Sequence, residues 1–493
     1  MSEPQPTLNP HCYVNIGPHG SFAATGRLHT TPEDIRSLMA HLRTAATDRM
    51  VVHFHGGLVS EDDGIAGAER LIRAYSQTRA HPVCFIWETG LIETLRRNLA
   101  DIHETKLFKW LIGLLARKLA KYLGVSVGAK GAGLEPDAAE IEAELARERP
   151  FDDIDLAHPS GAKGGGVPAS PQLEHQVQAE LELELSADPE LRSLLAERRD
   201  GGELLRDELA APVAPGAKGP VSITSAAAAL ARVVVRCVGR WNAGRDHGFY
   251  PTLMEEAVRE LYLDNFGAWA WGNMKEIAEQ MWLPNGDELG PDSHPGTQFL
   301  EELAKLQQER PGLVVDLVGH SAGSIAICHL LEANAERGIG VRIRNIALLA
   351  PAVRSDLFHA AVLAPELEQA PRCERLRVFT MKDNYESRDM LVPYVYTRSL
   401  LYLISGVLEA DQVDCPILGM ERYLTQAAPY DDERLVAIGR WLGAPDADRL
   451  VLSVTDDDAP PGLRSRSEHH GDFDNDDDTD GETMASVCHM IDA

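Results

Sequence analysis

Basic residues are scarce in this chain: 47 Lys and Arg stand against 76 Asp and Glu, a formal charge of −29. Phosphate backbones call for a basic footprint, so nucleic acid is excluded as the main partner. Cysteine is sparse as well. The seven (Cys12, Cys84, Cys237, Cys328, Cys373, Cys415 and Cys488) are odd in number, scattered and without a C-x-x-C. That excludes zinc-knuckle spacing and fits reduced thiols in a cytoplasm. No uninterrupted apolar run reaches the length of a membrane span. Ser225–Val238 comes nearest, but it is short and broken by Arg232 and Arg236. Met1-Ser2-Glu3-Pro4-Gln5-Pro6 has neither a basic nor an apolar leader region, so no secretory signal is expected and the location is read as cytoplasmic. There is no Walker loop and no dinucleotide glycine fingerprint. The one metal-like pattern, Asp476-x-Asp478-x-Asp480-Gly481, carries Val487 where a calcium loop needs Glu. A solvated acidic loop is expected there, with no metal and no cofactor.

What is present is size and rhythm. With 493 residues, 44% of them hydrophobic, the chain can build a large domain with an insertion, or two domains. Short apolar runs read as strands at His11–Gly17, Met50–His55, His81–Trp87, Leu313–Val318, Val341–Leu349, Leu376–Met381 and Arg449–Val454. Helical patterns alternate with them: Pro32 to about Thr47, Ile65–Tyr75, Gly296–Glu309, Tyr394–Glu409 and Asp432–Leu442. The expected class is α/β, a mostly parallel central sheet with helices on both faces. From about Leu91 to Pro311 the strands stop. The expected organisation is therefore a core in two parts, 1–100 and 296–493, around a helical and low-complexity, lid-like insertion, 101–295.

Within the insertion, Lys106–Leu123 is the sharpest feature. Lys106, Lys109, Arg117 and Lys121 share one helical face with Lys118 at its flank, and Phe108, Leu111, Ile112, Leu115, Leu119, Tyr122 and Leu123 fill the other. Two roles fit: a contact with a membrane surface or a hinged lid, and a helix packed on the protein's own core and acidic surface. Gly124–Gly219 is rich in Ala, Glu, Gly and Pro; stretches such as Gln176–Leu185 read as helical and much of the rest as mobile. Pro251–Trp282 reads as helical, with Trp269, Trp271 and Trp282 as core aromatics.

The chemistry centres on Gly319-His320-Ser321-Ala322-Gly323. A buried-strand pattern runs into it and a helical pattern, Ser324–Leu331, follows. That is the setting of a nucleophile elbow, in which a tight turn lifts the serine hydroxyl above a sheet and the glycines leave room for neighbouring backbone. A serine needs an adjacent base, oriented by a third group. Histidines follow the last strand: His469 and His470, with Gly471 beside the second favouring His470, and His489 farther off. Acids follow the strand Leu376–Met381: Asp383, Glu386 and Asp389; Asp356 is a fourth candidate. His55-Gly56-Gly57, after an early strand, is a source of backbone N–H donors.

Taken in order, His53-Phe54-His55-Gly56-Gly57-Leu58, Gly319–Gly323, Asp389 and His470 resemble the motifs of α/β-hydrolases of the serine esterase/lipase type. The likeness covers roughly residues 10–100 and 296–480. Ser399–Ser405 and His470–Asp476 are also similar to a less-characterised bacterial branch, which implies no substrate. The family order is serine, acid, histidine. The resemblance therefore implies Ser321 as nucleophile, His470 as base and Asp389 as acid, ahead of Asp383 and then Glu386 or Asp356. It implies an oxyanion hole of the Ala322 N–H with that of Gly56 or Gly57. The expected activity is hydrolysis of a carboxylic ester through an acyl-enzyme. Lys106–Leu123 adds lipid esters as substrates and a peripheral contact with the inner face of the membrane. An amidase or peptidase with the same triad, or a non-catalytic binding or scaffold protein retaining the fold, is the alternative.

Overall fold

In the computed structural model, residues 8–24, 26–56, 61–87, 91–127, 135–159, 167–197, 205–209, 221–262, 268–409, 411–475 and 481–493 are described. Seven strands form one sheet: β1 (Tyr13–Ile16), β2 (Arg49–Phe54), β3 (His81–Trp87), β4 (Val314–His320), β5 (Asn345–Leu349), β6 (Arg375–Met381) and β7 (Leu450–Ser453). Their order is β1-β3-β2-β4-β5-β6-β7 and every neighbouring pair is parallel. All seven coincide with expected apolar runs. Parallel strands buried on both faces show up in sequence as near-continuous Val, Ile and Leu, which is why they were legible.

The chain forms two compact units. The first holds Met1–Ile92, Ala270–Glu386 and Pro416–Ala493, and with them the whole sheet. On one face of the sheet, Val51, Ile86, Val318, Leu349 and Phe379 pack with Leu71 and Tyr75 of the helix Glu61–Tyr75 and with Val487 and Ile491 of the C-terminal helix Glu482–Asp492. Elsewhere in the unit Phe54, Phe85, Trp282 and Phe299 stack edge to face or tilted, at centroid distances of 4.7–5.9 Å. After β2 the chain turns to β3 on one side; after β4 it proceeds to β5 on the other. The carboxyl ends of β2 and β4 therefore flank a topological switch point, where open parallel sheets hold their ligands. His55-Gly56 and Ser321 lie just past those two ends.

The second unit holds Glu93–Trp269 with Ser387–Cys415. No strand lies between β3 and β4 among the described residues. The described part of Gly124–Gly219 is helical, including Ala138–Leu145, Asp152–Ala157 and Pro171–Ala187. The expectation of mobility there does not hold for these segments. Ser170 caps the helix Pro171–Ala187, and Leu173, Val177, Leu181 and Leu185, spaced four apart, bury one stripe. Low-complexity composition masked that period. The helix lies against Ile223–Asn242, as does Lys106–Leu123.

Lys106–Leu123 is a helix with the expected bounds, capped by Thr105 and closed by Gly124 in the left-handed region. Its apolar side is buried throughout. Much of its cationic side faces acids of its own unit. Lys118 Nζ, 3% exposed, is ion-paired with Glu135 at 3.1 Å and Glu180 at 3.4 Å, and also contacts Glu184. Arg117 pairs with Glu184 and Lys121 with Glu180. The core-and-acidic-surface role is thus the one realised for Arg117, Lys118 and Lys121. No described helix is long and apolar enough to cross a membrane.

A second polar network lies inside this unit. His247 bridges Glu255 at 2.8 Å and Asp414 at 3.0 Å, Tyr396 donates its hydroxyl to Glu255 at 2.6 Å, and Arg240 pairs with Glu255 and Glu256. Burial alone would raise the Glu255 carboxyl, but His247 and Arg240 hold it down at about 2.

Two helical expectations need correction. Pro251–Trp282 is not one helix. It is Phe249–Ala257, a wider turn Val258–Tyr262, and Ala268–Gln280. Trp271 and Trp282 are buried as expected, but Trp269 is 71% exposed. Tyr394–Glu409 becomes helical only at Leu400, because Ser399 accepts the Tyr402 N–H and starts the helix there. Tyr394 itself sits at φ 67°.

Candidate active site

The strand β4 delivers Ser321 into a turn that the helix Gly323–Glu336 continues. Ser321 has φ 49°, a left-handed conformation that a non-glycine residue adopts only when its surroundings hold it there. They do. Its N–H donates to Leu349 O at 2.8 Å, and its carbonyl accepts from Ala352 N–H and from the Ser324 hydroxyl. The elbow's glycines are sterically required: a Cβ on Gly323 would lie 2.1 Å from Phe54 O, and one on Gly319 would lie 2.7 Å from Ile327 Cδ1.

The imidazole arrives from the loop after β7. Ser453 at the end of that strand donates its hydroxyl to Ser467 O at 2.7 Å, and Ser465 and Ser467 both bond Thr483 Oγ1. This buried hydroxyl chain brings His470 to the elbow. The Ser321 hydroxyl meets His470 Nε2 at 3.0 Å, both residues being buried. His469 is exposed, and its backbone N–H is bound to Asp472. Gly471 faces open space, so the loop's anchoring, rather than a glycine turn, selects His470.

His320, the residue before the serine, takes a part that the sequence did not suggest. Its Nε2–H donates to the His470 carbonyl at 3.0 Å, and its Nδ1–H donates to Asp474 Oδ2 at 3.0 Å. With both nitrogens donating, the ring is an imidazolium. Burial alone would lower its pKa, but Asp474 overrides this and raises it. Burial would likewise raise the Asp474 carboxyl, yet His320 holds it well below the usual range. His53 on β2 completes the surroundings. Its Nδ1 pairs with the Tyr75 hydroxyl at 2.8 Å and its Nε2 lies 3.9 Å from Asp474. Burial pushes His53 down to about 3, so it is neutral. An ion pair inside the fold thus grips the backbone of the residue whose ring meets Ser321. The only sequence hint was that both Ser321 and His470 lie in histidine-containing motifs.

The early glycine segment is brought against the same serine. β2 and β4 pair Phe54 with Gly319, so Gly56 is carried alongside the elbow. A Cβ on Gly56 would stand 3.3 Å from Ser321 Cβ and 3.1 Å from His320 Nδ1. His55 Nδ1–H donates to Gly56 O at 2.6 Å while its Nε2 accepts the Trp87 N–H at 3.1 Å. Burial keeps this ring neutral, at about 4. Ala322 stands at the N-cap of the helix, where backbone N–H groups have no helical carbonyl to reach. Gly57 lies outside the described residues, as do Asp476, Asp478 and Asp480.

The candidate acids are dispersed. Asp356 is engaged by Arg354 at 2.8 Å and 3.0 Å. Asp383 opens the short helix Asp383–Glu386 that follows β6, its N–H donating to Glu421 at 2.6 Å. Glu386, at the end of that helix, is fully buried in the unit that holds Ser321 and His470. Asp389, half-buried, belongs to the second unit. Among the described residues no cluster of three or more His, Cys, Asp or Glu side chains could hold a metal ion.

Chemically the first unit offers a hydroxyl on a constrained turn, an imidazole nitrogen in hydrogen-bond reach of it, and backbone N–H groups on either side. No protein-family profile, curated protein or solved structure matches the chain.

Proposed function

We propose that this protein is a serine hydrolase of carboxylic esters, built on the α/β-hydrolase fold. The observation that carries the reading is Ser321 Oγ at 3.0 Å from His470 Nε2, with Ser321 held at φ 49°. A structural serine has no need of a strained turn; a nucleophile does. His470 takes the hydroxyl proton as Ser321 attacks the ester carbonyl. The oxyanion is assigned to the Ala322 N–H together with the N–H of Gly56 or Gly57, as the family resemblance implies. The alcohol leaves with the proton from His470, and water, activated by the same ring, releases the acid.

We assign the acid that orients His470 Nδ1 to the segment after β6, on the family order of serine, acid and histidine. Burial at the end of the helix Asp383–Glu386 favours Glu386 over the half-buried Asp389, the choice that the sequence resemblance implies. Pairing of Arg117, Lys118 and Lys121 inside their own unit leaves a membrane-contact role for Lys106–Leu123 to its first turns. The substrate class is therefore an ester, with lipid esters one branch of it.

Labelling by a fluorophosphonate tests the reading. Ser321 Oγ should form a bond to phosphorus as fluoride leaves, and Ser321→Ala should abolish the label. An unlabelled wild-type protein would instead support a non-catalytic binding or scaffold role. A panel of matched esters and amides separates esterase from amidase. Glu386→Gln and Asp389→Asn, compared in kcat, identify the acid: the true one should lose about 10⁴-fold, as the imidazole settles in the wrong tautomer.

A further inference from the structure

The second unit contains a cavity of about 610 Å³ between the helices Lys106–Leu123 and Ala138–Leu145, closed by Tyr250 and Tyr394. Its size is that of a pocket for one small-molecule ligand, typically about 300–1,000 Å³. Phe108, Ile112, Leu145 and Tyr250 supply an apolar wall. Tyr394 holds a half-exposed ring at its edge from a left-handed backbone position, a strained arrangement for a non-glycine residue that is found at ligand clamps. The wall's polar contributors are few. The Tyr250 hydroxyl lies 3.5 Å from Tyr394 O. His103 is lowered by burial and then by Lys109, so the ring is neutral. That leaves Lys109, exposed on one helix, and Glu142, exposed on the other, as the charges of the rim. Among the described residues Lys109 makes no ion pair, unlike Arg117, Lys118 and Lys121 of the same helix.

We propose that this cavity binds a single-chain carboxylate amphiphile, its alkyl tail against Phe108, Ile112, Leu145 and Tyr250 and its head at Lys109. The site does not depend on Ser321 and is independent of the hydrolase reading. It gives the second unit a ligand of its own.

Calorimetric titration of the full-length protein with dodecanoate, below its micelle concentration, tests this. Saturable one-to-one binding is expected, unchanged in Ser321→Ala. Leu145→Trp, which fills the cavity, should abolish it. Lys109→Gln should weaken it about two- to fivefold, the range of an exposed ion pair, and Glu142→Gln should tighten it. Trp110 also lines the cavity, so 12-bromododecanoate should quench fluorescence in the wild type and less in Trp110→Phe. This second readout decides the matter if Leu145→Trp does not fold. The proposal is overturned if dodecanoate does not saturate, if a folded Leu145→Trp binds it unchanged, or if dodecanol binds as tightly and Lys109→Gln has no effect.

Discussion

Removing Asp474 should cost both stability and turnover, although Asp474 is not placed to touch a substrate. Its side chain is 15% exposed and that of its partner His320 is 10% exposed, so the pair counts as buried. Taking one partner from a buried ion pair typically costs about 3–5 kcal/mol, mostly for the charge left behind. Asp474→Ala should therefore lower stability by about 3 kcal/mol, and Asp474→Asn by less, because an amide N–H can still donate to a neutral His320 Nδ1. The loss should depend on pH in a defined sense. His320 is raised, so its contribution is complete below the ordinary histidine pKa and fades as pH climbs through the raised value. Asp474 is depressed, so its contribution is complete above the ordinary carboxylate pKa and fades as pH falls through the depressed value. The gap between wild type and Asp474→Asn should be widest between about pH 4 and 6.5 and narrow on either side. Urea midpoints across pH 3–9 measure it. In turnover, a slackened His320 lets the His470 backbone drift. A displacement of about 1 Å costs on the order of 10²-fold in rate, so kcat should fall by 10- to 100-fold with KM held. An Asp474→Ala protein with wild-type midpoint at pH 5.5 and wild-type kcat would refute the linkage from Asp474 through His320 to His470.

Gly323→Ala places a methyl 2.1 Å from Phe54 O. Overpacking of this kind costs about 1–3 kcal/mol, read as a lower urea midpoint together with weaker fluorophosphonate labelling. Lys118→Met should destabilise by about 3 kcal/mol at pH 7, since Glu135, Glu180 and Glu184 would then crowd without their shared cation; acidification toward pH 3 should shrink the difference as glutamates take up protons. Glu255→Ala should lower thermal stability by a similar amount, about 3–5 kcal/mol, by stranding Arg240 and His247. A midpoint shift under 1 kcal/mol in that variant would mean that water fills the gap.

Local pattern made the sheet legible because each strand is an apolar run of four to seven residues that no helix period explains. The elbow was legible for the same reason: Leu313–Val318 announces a strand and Ser324–Leu331 a helix, with Ser321 between them. Features that depend on distant partners were not. Asp474 reads as one more acid in an acidic loop, and only the folded chain sets it beside His320, 154 positions earlier by the residue numbers. Trp269 reads like Trp271, although one is exposed and the other fully buried; the period within Pro251–Trp282 is lost at the turn Val258–Tyr262. Glu386 and Asp389, three positions apart, are equivalent as loop acids in sequence, whereas burial divides them.

The composition of the second unit bears on how the chain must mature. Asp414 meets His247 and Arg245, Arg398 meets Asp155, and Tyr396 meets Glu255. On the ribosome, residues 93–269 emerge well before residue 414 does, so for that interval Glu255, His247 and Arg245 await partners not yet made. Vectorial synthesis at about 5–20 residues per second leaves such an interval of several seconds or more, in which this region lacks part of its final network. Trimming either stretch by itself from a gene would leave that gap permanent.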